Sequence, residues 1–360
     1  FYVHAKGLYH KRCGIAKESP YTEWHSGKCH LLTYKSNFPP NNRHYTVDAK
    51  RDSGFFDEEG NSVAVSQFKL IDTLQTDEVI EGVCGGWHDA ADYDRRPYHY
   101  EVVNALLAVY LMKPENFVDE QLNIPESGDG IPDIINEAIW GMDVWRKAQL
   151  DTGAVGGWIE ATSHPANWDP GIDSQRYYLS AATMESSMQY AAHASMLALV
   201  LKKAGENNLS DLYLKSSQKA YEYGINPQNR FEATYMYPVE EQVDGKKVLK
   251  KAPYRYKESS VVPSDFLFKA AFNLYLLTSE QEYLQEIKKR EKDVQKNIAE
   301  ISWRNTALFY SEFLLFGDNI DNWFIKLHQT YRERVLKTAL EKLEWLNNNY
   351  PYRIPWYPAD

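Results

Sequence analysis

The chain has 360 residues, 43% of them hydrophobic, with a net charge of −10 and a pI near 5.6. That is enough apolar material for a large core, in one big domain or two ordinary ones, and the acidic balance argues against nucleic acid as a partner, since phosphate binding needs a clustered basic face. No apolar run approaches the roughly 20 residues needed to span a bilayer, and the N-terminus lacks a basic-then-apolar signal pattern, so no membrane partner is expected.

Phe1 opens the chain inside an aromatic, Cys-bearing segment, as if processed or excised from something longer. Up to about Glu81 helical periodicity is weak. Pro39-Pro40-Asn41-Asn42, Asp52-Ser53-Gly54 and Asp57 to Asn61 are turn signals, and Ser62 to Leu70 alternates as a strand would. Residues 1–95 therefore read as loops with short strands. Within them Cys13, Cys29, His30 and His88 offer two thiolates and two imidazoles, a tetrahedral zinc set with looser spacing than a zinc finger's. A Cys13–Cys29 disulfide and unrelated free thiols are the alternatives, and Cys84 is expected to be a buried thiol.

The most informative stretch is Gly85-Gly86-Trp87-His88-Asp89-Ala90-Ala91-Asp92-Tyr93-Asp94. Its three acids lie within six residues, after a Gly pair that lets the backbone bend without Cβ clashes. Like charges this close push their pKa values apart, which separates an acid–base role from an electrostatic one. The bland alternative is that Asp92 or Asp94 caps a helix opened by Pro97.

From Pro97 onward the pattern is helical. Tyr98 to Met112, Pro132 to Gln149, a helix capped by Ser180 and closed by Gly205, Ser210 to Gly224, Pro263 to Leu277, Tyr283 to Ile301, Asn305 to Phe316 and Asp321 to Leu346 make about eight helices. A polar, Pro-containing connection separates the fourth from the fifth, and the basic runs at Lys246 to Lys251 and Lys288 to Lys292 read as solvated faces. Charged helices alternate with apolar ones, as in helical hairpins packed in a ring; Ser180 to Ala204 and Asn305 to Phe316 are expected in the inner layer. The 26 Tyr, 10 Trp and 14 Phe supply faces suited to stacking on sugar rings, although most serve packing.

Gly85 to Asp92 resembles the Gly-Gly-Trp-(His/Tyr)-Asp-Ala-Gly-Asp signature of glycoside hydrolase family 9. Arg12-Cys13-Gly14 with Cys29-His30, Gly130-Ile131-Pro132-Asp133 with Asn136-Glu137-Ala138 and Trp140-Gly141-Met142-Asp143, Ser180-Ala181-Ala182-Thr183, and Tyr352-Arg353-Ile354-Pro355 are similar to further segments of that family in the same order. The resemblance covers nearly the whole chain. It implies one glycosidase catalytic domain over 1–360, with a mainly α fold: an (α/α)6 barrel of helical hairpins, here incomplete at the C-terminus with an exposed apolar edge. It implies that Asp92 is the general base that deprotonates the attacking water and Asp89 the partner that holds it, in an inverting reaction on β-1,4-linked glucans or oligosaccharides. Structural zinc on Cys13, Cys29, His30 and His88 is the expected cofactor, with calcium a second candidate ion. Trp87, as a stacking face, and Asp94, as a partner for a sugar ammonium, are the expected substrate-binding residues.

Two departures stand out. Ala91 replaces a family Gly and is followed by the charged run Tyr93-Asp94-Arg95-Arg96; and the family's late acidic Glu has no match before Asp360, so the acid is expected beyond it. Besides the glucan hydrolase, two readings remain: an exo-β-glucosaminidase on chitosan oligosaccharides, and a carbohydrate-binding protein without catalysis. A phosphate or nucleotide enzyme is disfavoured because no Gly-rich phosphate loop follows a strand. Zinc-bound thiols tolerate the cytosol, whereas polymer hydrolysis requires export, so a periplasmic or secreted location is favoured slightly.

Overall fold

The computed structural model describes residues 2–40, 54–90, 92–296, 306–315 and 321–349. Helices dominate from residue 100 onward. α3 (Tyr100–Met112) pairs with α4 (Asp133–Lys147), α5 (Met184–Ala204) with α6 (Asn207–Ile225), α7 (Ser264–Thr278) with α8 (Gln281–Lys296), and α9 (Ala307–Glu312) with α10 (Asn322–Asn349); α3 packs on α5, α5 on α7 and α7 on α9. These are hairpins set side by side. In α5, 17 of 21 residues are buried, against 7 of 19 in α6, which makes α5 inner and α6 its outer cover. The cause is composition: Ala191, Ala192, Ala194 and Ala198 let neighbouring helices approach closely, while α6 carries an apolar stripe on one face only. α7 and α8 repeat the arrangement, with 11 of 15 and 4 of 16 residues buried. One apolar cluster runs through all four hairpins, from Val83 to Tyr331.

Several expectations need correction. Residues 1–95 are not only loops and strands, because α1 (Tyr2–Lys11) and α2 (Gln67–Thr73) lie within them. The alternation from Ser62 to Leu70 is broken by the Ser66 hydroxyl, which accepts from the Lys69 N–H and starts α2, with Leu70 and Ile71 both turned inward. Pro97 opens a single 3₁₀ turn before α3, and neither Asp92 nor Asp94 caps it. The cap of α5 is Thr183 rather than Ser180, α6 begins at Asn207 rather than Ser210, and Gly224 lies inside α6, whose C-cap is Asn226. Gly205 does close α5, at φ +91°. The helix expected over Asn305–Phe316 is described only as α9, and Asn305, Phe316, Ile301, the 41–53 turn signals and Tyr352–Pro355 lie outside the described residues.

The connection after α6 is not irregular. It is a long hairpin of β6 (Glu232–Val243) and β7 (Lys246–Lys257) in antiparallel register from Glu232↔Lys257 to Val243↔Lys246. Asp244 and Gly245 form its two-residue turn, both at positive φ (+51° and +74°), as a type I′ turn requires. Its base packs Tyr235, Tyr237 and Tyr256 against Phe55 of β2 (Phe55–Phe56), Trp158 and Tyr178, while Lys246 to Lys251 stay in solvent as expected. A second sheet, in the order β3 (Val79–Ile80), β1 (Thr33–Lys35), β5 (Tyr177–Leu179), β4 (Ile159–Glu160), carries the floor of the acidic stretch. An apolar edge is exposed on α10, where Leu336, Leu340 and Leu343 are each more than half exposed. No helix among the described residues is long and apolar enough to cross a membrane.

Candidate active site

The segment after α1 and the acidic stretch are stitched together by backbone. The Cys13 N–H donates to Gly86 O (2.8 Å) and the His88 N–H to Lys11 O (2.8 Å). Gly86 is needed here for two reasons: its φ is +75°, and a Cβ would press on Val144 Cγ1 at 3.1 Å and Arg95 Cγ at 3.2 Å. This pairing brings Cys13, Cys29, His30 and His88 together, with one ligand atom of each within 4.8 Å of all the others. Cys13 Sγ lies 3.8 Å from His30 Nδ1, and Cys29 Sγ 3.5 Å from His88 Nε2. Ligands sharing one zinc, at about 2.3 Å for sulfur and 2.0 Å for nitrogen, sit roughly 3.3–3.8 Å apart, so the donor set fits the ion. All three cysteines are free, which removes the disulfide alternative, and Cys84 is half-buried rather than buried.

The surroundings suit a metal. His30 Nε2 is 3.0 Å from Asp173 Oδ2, which also accepts from the Tyr177 hydroxyl at 3.1 Å; this aims His30 Nδ1 at the cluster. Burial lowers the His88 pKa to about 4, leaving the neutral imidazole that binds metal. A hydrogen bond from the Cys13 thiol, then those from His30 and His88, hold Cys29 well below the usual thiol range, while burial pushes Cys13 up. The pair thus keeps one proton, which a divalent ion would release.

The acidic loop projects beyond this cluster. The Asp89 N–H donates to Asp94 O (3.0 Å), closing the loop, with Tyr93 at φ +50°. Oxygens of Asp89, Asp92 and Asp94 lie within 4.8 Å of one another. Asp89 accepts from the Tyr98 hydroxyl and faces His99 Nε2 at 3.6 Å. Burial opposes its charge, but these partners and the Ala90 N–H outweigh it and hold Asp89 well below the usual carboxylate range. Asp92 is one quarter exposed, with His164 Nδ1 at 3.4 Å. It lines a cleft of about 320 Å³ with Ala90, His164, Pro165, Asn167 and Trp168, and the Trp168 ring is 87% exposed. None of Tyr98, His99, His164 or Trp168 was expected from sequence; the one available signal was a His and a Trp four residues apart in a Pro- and Asn-rich loop.

The expectations for the two substrate-binding residues are corrected. Trp87 is a core residue: it is 3% exposed, its Nε1–H donates to Glu137 Oε2 at 3.2 Å, and its ring fills the space where a Cβ on Gly141 would come within 2.3 Å. Asp94 is fully buried and bonded to the Arg96 Nε–H, so it offers no free anion to the cleft. Glu137, the other acid in a family-like Asn-Glu context, is also fully buried and held by Arg12 Nε at 3.0 Å.

A sequence profile described as Glycosyl hydrolase family 9 matches residues 4–356. The chain belongs to that family. Its hairpins are those of the family's (α/α)6 barrel, of which the described residues contribute four. The chain is 27% identical over 225 residues to the cellodextrinase of Butyrivibrio fibrisolvens, covering 60% of this chain and 38% of that protein. It is 27% identical over 141 residues to the cellulose 1,4-beta-cellobiosidase of Acetivibrio thermocellus, 33% of this chain and 15% of that protein. A Bacteroides ovatus family 9 structure superposes with a TM-score of 0.68 at 20% identity, covering 100% of this chain and 59% of that one. The chain thus spans less than two thirds of the length of these relatives.

Proposed function

We propose that this family 9 chain acts, as a single catalytic domain, in the hydrolysis of β-1,4-linked glucans or their oligosaccharides with inversion at the anomeric carbon. The observation that carries the reading is the Asp89–Asp92 pair, its oxygens within 4.8 Å, at a cleft with an open aromatic face at Trp168. Among the described residues, Asp92 has no protein hydrogen donor closer than His164 at 3.4 Å and stands at the cleft wall, as a base must. Asp89, kept ionised by Tyr98 and His99, accepts one hydrogen of a water placed between the two carboxylates. Asp92 takes the other proton as the water oxygen attacks the anomeric carbon; the glycosidic bond breaks on the opposite face, and its oxygen needs a proton from an acid roughly 6.5–9.5 Å from the base. Trp168 supplies the stacking face originally expected of Trp87.

Cys13, Cys29, His30 and His88 hold a structural zinc in this reading. Four protein ligands leave no open position, so the ion supplies cross-linking rather than Lewis acidity, tying the end of α1 to the acidic loop. Calcium, which prefers hard oxygen ligands, does not match that donor set. The glucosaminidase alternative loses its main support, because Asp94 is already engaged by Arg96. The reading is tested with the full-length gene product by following cellotetraose hydrolysis by proton NMR: the α-anomer should appear first at the new reducing end, and initial β-anomer or no turnover would overturn it.

A further inference from the structure

The charged run Asp94-Arg95-Arg96 is not used by the chemistry above, yet it is buried directly behind it. Arg96 Nε–H donates to Asp94 Oδ2 and Arg96 Nη2–H to Glu160 Oε2, while the guanidinium lies 4.1 Å over the Trp158 ring. Glu160, at the end of β4, is 2% exposed; its Oε1 accepts from the Ala161 N–H at 3.0 Å and its Oε2 also from Gln67 Nε2, on α2, at 2.9 Å. The chain of contacts therefore runs from α2 and β4 through Arg96 to Asp94, whose carbonyl holds the Asp89 amide. Asp94 Oδ1 is buried without a hydrogen-bond partner among the described residues.

Burying two carboxylates on one guanidinium is weak as a source of stability, since well-packed apolar residues of the same volume do as well or better. Its location says more: an Asp94 oxygen lies within 4.8 Å of oxygens of Asp89 and Asp92. Burial, and then the Asp94 charge, push Glu160 up to about 8, and burial raises Asp94 as well, so near neutral pH the trio of two acids and one guanidinium keeps a proton. It can therefore fix the loop without placing a full extra negative charge behind the reacting pair.

We propose that Glu160 and Arg96 are positioning residues for the Asp89–Asp92 loop: Glu160 orients the Arg96 guanidinium, Arg96 fixes Asp94, and Asp94 keeps the loop closed through the Asp89 amide. The inference rests on the catalytic roles of Asp92 and Asp89 for its effect on turnover, but not for its effect on the loop. Two readouts on the full-length gene product separate these. Glu160→Ala should speed hydrogen exchange of the Asp89 amide at least ~10-fold while α5 amides stay unchanged. It should lower kcat by roughly 10²-fold with KM within about 3-fold, as expected when a reacting group is displaced by an ångström or less. Glu160→Gln, which keeps an acceptor for Arg96, should recover most of both losses, and Arg96→Lys, which cannot span both carboxylates, should not. Unchanged exchange at Asp89 in both Glu160→Ala and Arg96→Lys overturns the proposal, as does a Gln variant no better than the Ala variant. If exchange responds as expected but Asp92→Asn retains full turnover, the catalytic reading fails and the positioning one stands.

Discussion

Two buried regions of this protein are held together by different physics. The buried residues of α5 and its neighbour α7 are mostly Ala, Leu, Phe and Met, with Lys269 of α7, paired to Asp265 and Glu101, the main charged exception. The region around Cys13 and the Asp89–Arg96 loop buries Arg12, His88, Asp94, Arg96, Glu137 and Glu160, each tied to named partners. In the first, losing one side chain costs transfer and cavity energy. In the second, losing one partner strands a charge out of water, so the region tolerates little change and gives the backbone geometry that periodic packing cannot.

The largest contrast should come from pairing a substitution in each. In the full-length gene product, Asp92→Ala should lower kcat by about 10⁴-fold with KM nearly unchanged and little effect on stability, because an interaction confined to the transition state is removed. Leu197→Ala, in the fully buried face of α5, should do the reverse: a loss of about 2–5 kcal/mol in urea unfolding with kcat per folded molecule unchanged. A stable, fully active Asp92→Ala protein would erase the distinction between the regions.

Removing metal should come next. If zinc occupies the Cys13–Cys29–His30–His88 cluster, chelation should lower stability by about 4 kcal/mol relative to protein in free zinc about 1,000-fold above Kd. Hydrogen exchange should rise first in peptides covering 10–30 and 84–94, and only later in α5. Elemental analysis finding no zinc in protein purified without chelators would count against the metal, and uniform loosening across both regions against the local role assigned to it.

Legibility from sequence follows the same division. α5 was readable because its 21 residues are rich in Ala, Leu and Met and free of Gly and Pro, and its Gly205 terminus has one chemical explanation. The zinc set and the acidic loop were readable because Cys, His and clustered Asp are rare enough to stand out. What stayed hidden depends on partners distant in sequence: Trp87 looks like a sugar platform until Gly141 and Glu137 are seen around it, and Asp94 looks free until Arg96 and Glu160 close on it. The β6–β7 hairpin was missed for a different reason. Asp244-Gly245 is a strong turn signal, but the strand ends beside it, Glu240 to Val243 and the Lys-rich Lys246 to Lys251, are polar and exposed and lack the alternation that would have drawn attention to it.

A pH titration probes the charged region by itself. Burial raises Glu160 to about 8 from an ordinary value of 4.5, so the folded state holds this proton more tightly than the unfolded chain. The contribution is fully present below about 4.5 and is lost as pH rises towards 8. Urea midpoints measured at pH 5, 7 and 9 should fall over this window in the wild type, and Glu160→Gln should flatten part of the fall. Identical slopes in the two proteins would mean that Glu160 does not titrate there.

The smallest effect should appear where the helical region borrows a device from the other, at the start of α5. Thr183 Oγ1 accepts from the Ser186 N–H at 3.0 Å, and Ser186 Oγ accepts from the Thr183 N–H at 2.9 Å, a reciprocal cap. Two further N–H groups of the first turn, those of Met184 and Glu185, are met by the buried Glu258 carboxylate at 3.2 and 2.8 Å. Thr183→Ala therefore leaves most of the helix start satisfied, because the Glu258 carboxyl still accepts from the Met184 and Glu185 N–H groups at the positive end of the helix dipole. The expected loss is about 1 kcal/mol, near the middle of the range for caps. Removing both devices should cost more than the sum of the single losses, because each protects donors that water cannot reach once the other is gone. Thermal and urea unfolding of Thr183→Ala, Glu258→Gln and the double variant would show this directly. Strict additivity would mean that the two caps act on the α5 terminus independently.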